Sequence, residues 1–171
     1  MMDLDLLIAR KRLGQLAGAD LVAWAVASLS DGLDSNSLRC LASLDLEGEV
    51  RVAEAEALFS SAVAELGIST PDEDLAIRAY VRNLAVEIVR GDVAPQEQVA
   101  RIHAEVLSPL NHPRDLMVWC YVGDGLRPTE WSLNPDSMTH FVEIPDASLD
   151  GAIRELAEWY LAETGRRITS G

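Results

Sequence analysis

The chain has 171 residues and a mass of 18.6 kDa, 49% hydrophobic and 25% charged, which is the mixture of one ordinary globular domain and not of a disordered chain. Lys+Arg 14 against Asp+Glu 28 gives a net charge of −14 and a pI near 4.5. A nucleic-acid surface must gather cations to displace counterions, and an anionic membrane attracts basic segments, so neither is expected as a partner.

At the start, Leu4, Leu6, Leu7 and Ile8 are interrupted by Asp5 and closed by Arg10, Lys11 and Arg12. This is not the pattern of a secretory leader, and no run approaches the roughly 18–20 apolar residues of a membrane span. The two cysteines, Cys40 and Cys120, lie 80 positions apart. In a chain large enough to hold a core without staples they are expected as two buried, reduced thiols, and the location as cytoplasmic.

The first two-thirds reads as a series of helices. Residues 19–29 form an alanine- and leucine-rich run ended by Asp31-Gly32, and 35–44 form a shorter one capped by Ser35 or Asn36. Over 49–66, Ala55, Leu58, Phe59, Ala62, Val63 and Leu66 recur at helical spacing until Gly67. Thr70-Pro71-Asp72-Glu73 then reads as a capping box, with Thr70 as N-cap, Pro71 at the first helical position and Glu73 closing the box. Ile77, Val81, Leu84 and Ile88 follow as one apolar seam ended by Gly91. Pro95 opens the next helix, which turns Val99, Ile102 and Val106 inward and ends near Ser108-Pro109.

After Pro113 the pattern changes. Residues 116–122 (LMVWCYV) are a continuous apolar run, either a buried strand or a short buried helix, which periodicity cannot separate. Residues 141–144 are β-like, and Pro128, Asn134 and Pro135 interrupt what lies between. A closing helix over 149–164 carries Ile153, Leu156, Ala157, Tyr160 and Leu161, with Gly165 as its end. The predicted fold is mainly α: a single-domain multi-helix bundle over 1–171, with an irregular segment, 112–148, holding one or two short strands.

Chemistry-bearing motifs are missing from the sequence. It has no GxxxxGK[ST] or GxGxxG phosphate loop, no GxSxG elbow, no HExxH and no CxxC. No catalytic residue, cofactor or metal is therefore expected. His103 falls beside Ile102 and Val106, as a hydrogen-bonded core histidine would, and His112 reads as a loop residue. Cys120 sits inside the apolar run, where burial leaves a thiol inert. Trp131, in the polar context Thr129-Glu130-Trp131-Ser132, is either an interface anchor or a packing residue.

The acidity is concentrated. Residues 41–66 and 116–150 each carry six acids against one arginine, a net −5 apiece. Such blocks either solvate the surface or complement a cationic partner. The first functional reading is a non-enzymatic protein that binds a protein partner with a cationic surface. Its partner-binding candidates are Asp124, Glu130, Trp131 and Asp136, with Glu47 and Glu49 as a second patch. The alternative is a small enzyme or ligand-binding helical domain with a site under 112–148, using His103, Tyr121 or His140.

Residues 54–68 (EAEALFSSAVAELGI) and 76–95 (AIRAYVRNLAVEIVRGDVAP) resemble a family of small uncharacterised bacterial helical proteins, over roughly residues 18–107. Some members are suspected immunity proteins. The resemblance implies an all-helical body and a toxin-neutralising role, and it carries over no catalytic residues.

Overall fold

Eight helices and one two-stranded antiparallel ribbon occupy the described residues, so the fold is mainly α. The computed structural model describes residues 4–44 and 51–169. The chain divides into two compact units, Met1–Tyr80 and Val81–Gly171.

In the first unit, the opening run forms α1 (Leu4–Arg12), a helix that its interrupted apolar pattern does not predict. Asp5 in its first turn and Arg10, Lys11 and Arg12 in its last match the helix dipole, while Leu7, Ile8 and Ala9 are buried. Helix α2 (Gly18–Ser30) is fixed to it by Asp20. One carboxylate oxygen accepts from Arg10 Nη1 at 2.8 Å, and the other accepts the Ala17 N–H at 3.1 Å. Helix α3 (Asn36–Ser43) is capped by Ser35, whose hydroxyl accepts the Leu38 N–H at 3.2 Å. Helix α4 (Val52–Glu65) packs with α2 and α3, and the Trp24 and Phe59 rings meet edge-to-face at 4.9 Å.

Helix α5 (Glu73–Arg90) starts from a different cap than the sequence suggests. Asp72 Oδ1 accepts the N–H groups of Asp74 at 2.9 Å and Leu75 at 3.2 Å. A full negative charge next to the positive helix end displaces Thr70 from that role and leaves Pro71 outside the helix. The seam itself holds, with Ile77, Val81, Leu84 and Ile88 each buried. Gly91 closes the helix at φ +78°, a left-handed conformation that glycine takes without a Cβ clash.

In the second unit, α6 (Pro95–Ile102) runs into a single π-helical turn, His103–Leu107. The apolar run resolves as a helix, α7 (Met117–Gly123), with Val118, Trp119, Cys120 and Val122 buried. Among the described residues the only extended segments pair with each other, so a strand here would lack a partner; a helix satisfies its own backbone. The ribbon joins β1 (Leu126–Pro128) to β2 (Phe141–Glu143) in the register Leu126↔Glu143, Arg127↔Val142, Pro128↔Phe141. Strand content thus falls inside 112–148, as expected. Helix α8 (Leu149–Thr169) packs on α6 and α7, with the Trp119 and Tyr160 rings edge-to-face at 5.4 Å. It runs through Gly165, which therefore does not end it as the sequence suggested: with helical dihedrals on both sides, the glycine is simply a weak helix former. Two arginines tie α8 to the part of α5 in this unit. Arg154 Nη1 donates to the Ile88 carbonyl at 3.0 Å, and Arg82 Nη1 donates to the Leu161 carbonyl at 3.1 Å and to Thr164 Oγ1 at 2.6 Å. No helix among the described residues is long and apolar enough to cross a membrane.

Candidate functional site

Two surfaces of the second unit carry chemistry. The first is the acidic segment from α7 through the ribbon. Asp124 stands just past the end of α7, and Asp124, Glu130, Glu143 and Asp146 are all exposed. None of these four makes an ion pair among the described residues. Asp136 differs, since its carboxylate is already engaged by Arg114. Trp131 is half-buried beside Trp159, with ring centroids 6.1 Å apart and planes at 32°. Its indole N–H is buried and finds no acceptor among the described residues. Glu47 and Glu49, the second patch, lie outside the described residues.

The second surface is a groove of about 400 Å3 lined by residues of α6, the π-helical turn, α7 and its C-terminal end, and α8, among them Gln96, His103, Trp119, Cys120 and Asp124. His103 is exposed here, which corrects the expectation of a core histidine. It sits one residue past buried Ile102, about 100° further round the helix, and opens the π-helical turn, so the seam of Val99, Ile102 and Val106 leaves it outside. Cys120 is buried at 8% exposure, as expected. Burial pushes its thiol pKa up, and the Asp124 carboxylate adds to the rise. Cys40 is exposed on α3, so only one of the two thiols is buried. Helix α3 turns Leu38 and Leu41 into its unit's core, and Cys40, about 100° round the helix from Leu41, faces outward.

The three alternative candidates lie in different places. Of His103, Tyr121 and His140, His103 lines the groove. Tyr121 is half-buried against Phe141, ring centroids 4.8 Å apart. His140 is exposed, and its carbonyl accepts the Thr129 N–H at 3.0 Å, which extends the ribbon by one rung.

A different trio comes together instead. The donor atoms of His103, His112 and Cys120 all lie within 4.8 Å of one another. The two imidazoles meet edge-on, centroids 5.5 Å apart at 65°. Asn111 and His112 both hold left-handed backbone, at φ 54° and 57°, and the His112 N–H closes the turn on the Leu107 carbonyl at 2.8 Å. This turn swings His112 back over the π-helical turn. On the other side α7 approaches α6 closely, since a Cβ added at Gly123 would lie 3.1 Å from Val99 Cγ1. No sequence motif joins these three residues, and the one local signal is Asn111, a residue type that tolerates left-handed backbone.

The chain matches no protein-family model, no curated protein and no solved structure.

Proposed function

We propose that this protein is a non-enzymatic binding protein that recognises a cationic protein partner through the acidic segment of its second unit. Neutralisation of a basic toxin, in the manner of an immunity protein, is the most concrete form of that role. The observation that supports it is how the charges are used. Arg10, Lys11, Arg12, Arg39, Arg101, Arg114 and Arg127 are each engaged by a carboxylate. Arg78, Arg82 and Arg154 donate to main-chain carbonyls. These ten cations are thus occupied within the chain, and of the other described ones Arg51 and Arg90 lie exposed outside the acidic segment, while Asp124, Glu130, Glu143 and Asp146 present uncompensated charge to solvent. A field of one sign steers an oppositely charged partner and rejects a like-charged one. Trp131, half-exposed in the same segment and without a hydrogen bond fixing its indole, supplies the aromatic anchor such an interface uses.

The test is binding of a partner purified from the native cell to the parent protein and to the double variant Asp124→Lys, Glu130→Lys. Charge reversal at these exposed positions leaves the fold intact and should weaken binding by roughly tenfold or more, through slower association. Unchanged binding by the reversed protein would contradict the reading. The groove beside α7 favours a second reading, a ligand-binding domain. It predicts a small molecule retained through purification, and loss of that molecule on filling the groove at Gly123.

A further inference from the structure

We propose that His103, His112 and Cys120 form a binding site for a zinc-class divalent ion, with three protein ligands and a fourth, exchangeable position. The site is independent of the partner reading above and runs against the sequence expectation of no metal.

The donor set is the first ground. Two imidazole nitrogens and one thiolate suit a borderline-soft ion, and hard cations such as Mg2+ or Ca2+ prefer oxygen. Their spacing is the second. Zinc binds nitrogen at about 2.0–2.1 Å and sulfur at about 2.3 Å, so a tetrahedral ion holds its donors roughly 3.4–3.6 Å apart. Atoms already within 4.8 Å of one another reach that spacing by small rotations of two exposed imidazoles. The backbone is the third ground. A π-helical turn beginning at one ligand and two successive left-handed residues ending at another are unusual features in one short segment, and both serve to aim these side chains at Cys120. Structural zinc sites close all four positions with protein ligands, whereas three ligands leave one for water or an incoming group. His103 and Cys120 line the groove, and Asp124 beside them adds negative charge next to the cation. On binding, the Cys120 thiol gives its proton to solvent and the two histidines bind as neutral imidazoles.

The experiment is titration of the full-length reduced protein with Co2+, followed by displacement with Zn2+. The expected result is a stoichiometric thiolate-to-cobalt charge-transfer band in the near ultraviolet, erased by Zn2+. Cys120→Ser should abolish the band, while Cys40→Ser, at the exposed thiol of the other unit, should keep it. Loss of a residue that merely supports a ligand already costs 10–100-fold in metal affinity, so His103→Gln and His112→Asn should each cost about 100-fold or more. His103 is exposed, and asparagine accepts the left-handed backbone of position 112, so both variants should fold as the parent by circular dichroism. Absence of the band, its survival in Cys120→Ser, its loss in Cys40→Ser, or parental affinity in the histidine variants would each overturn the assignment.

Discussion

Asp72 shows how much a single side chain decides at a helix start. Its carboxylate satisfies two main-chain N–H groups that would otherwise lack partners in the first turn of α5. Asp72→Ala should lower stability by about 0.5–2 kcal/mol, whereas Thr70→Ala should change it by a few tenths at most, in parallel denaturant melts. Equal losses would put the cap back at Thr70. Glu65 plays a related part between helices. It accepts the Ser37 hydroxyl at 2.6 Å and the Ser37 N–H at 3.0 Å, at the start of α3. The Ser37 hydroxyl first, then the Ser37 N–H and Ser35, hold its pKa below the ordinary value of 4.5. A lowered folded-state pKa means that the stabilisation is present above that ordinary value and is lost as pH falls through the lowered one. Glu65→Gln should therefore melt below the parent at neutral pH, with the gap narrowing as pH falls below 4.5. A gap independent of pH would mean that the carboxylate's charge contributes nothing.

Among the elements, those with punctuation were legible in the sequence. Helices α2 to α6 carry a cap residue, a starting proline or a closing glycine, and their seams repeat at helical spacing; their cores follow. Helix α1 escaped notice because its acids and bases read as interruptions of an apolar run, when they are the charges a helix dipole favours at each end. For 116–122, burial on nearly every side erases the periodicity that separates helix from strand. The His103–His112–Cys120 cluster was illegible for another reason. Its members lie nine and eight positions apart, and the turns that unite them leave Asn111 as their one compositional trace. Gly165 suggests an end in the sequence because glycine is the usual helix stop. In the structure it lies within α8, and a Cβ there would meet Arg82 Nη1 at an ordinary 3.8 Å. Gly165→Ala should accordingly stabilise the protein by about 0.5–1 kcal/mol in thermal melts. Destabilisation would restore the glycine as a left-handed cap. Gly123 is the opposite case, since the approach of α7 to α6 leaves little room at 3.1 Å from Val99. Gly123→Leu should cost about 1–3 kcal/mol by overpacking.

At the scale of the whole molecule, the governing quantity is a net charge of −14, with the cations largely committed to internal partners. Charge arranged in this way adds little to stability, because exposed pairs contribute about 0–1 kcal/mol each. Its consequence is a long-range field, felt by other molecules over about 8 Å at physiological ionic strength. Within the acidic segment the contributions should be unequal. Asp136 is engaged by Arg114, so reversing it should slow association less than reversing Asp124 or Glu130. Trp131→Ala should instead speed dissociation, as loss of an aromatic anchor does. The most direct measurement is the association rate constant with the purified partner, followed from low to physiological ionic strength. The expected result is a fall of roughly tenfold or more, flattened in the Asp124→Lys, Glu130→Lys protein. A rate that ignores salt, with the reversed protein associating as fast as the parent, would contradict it.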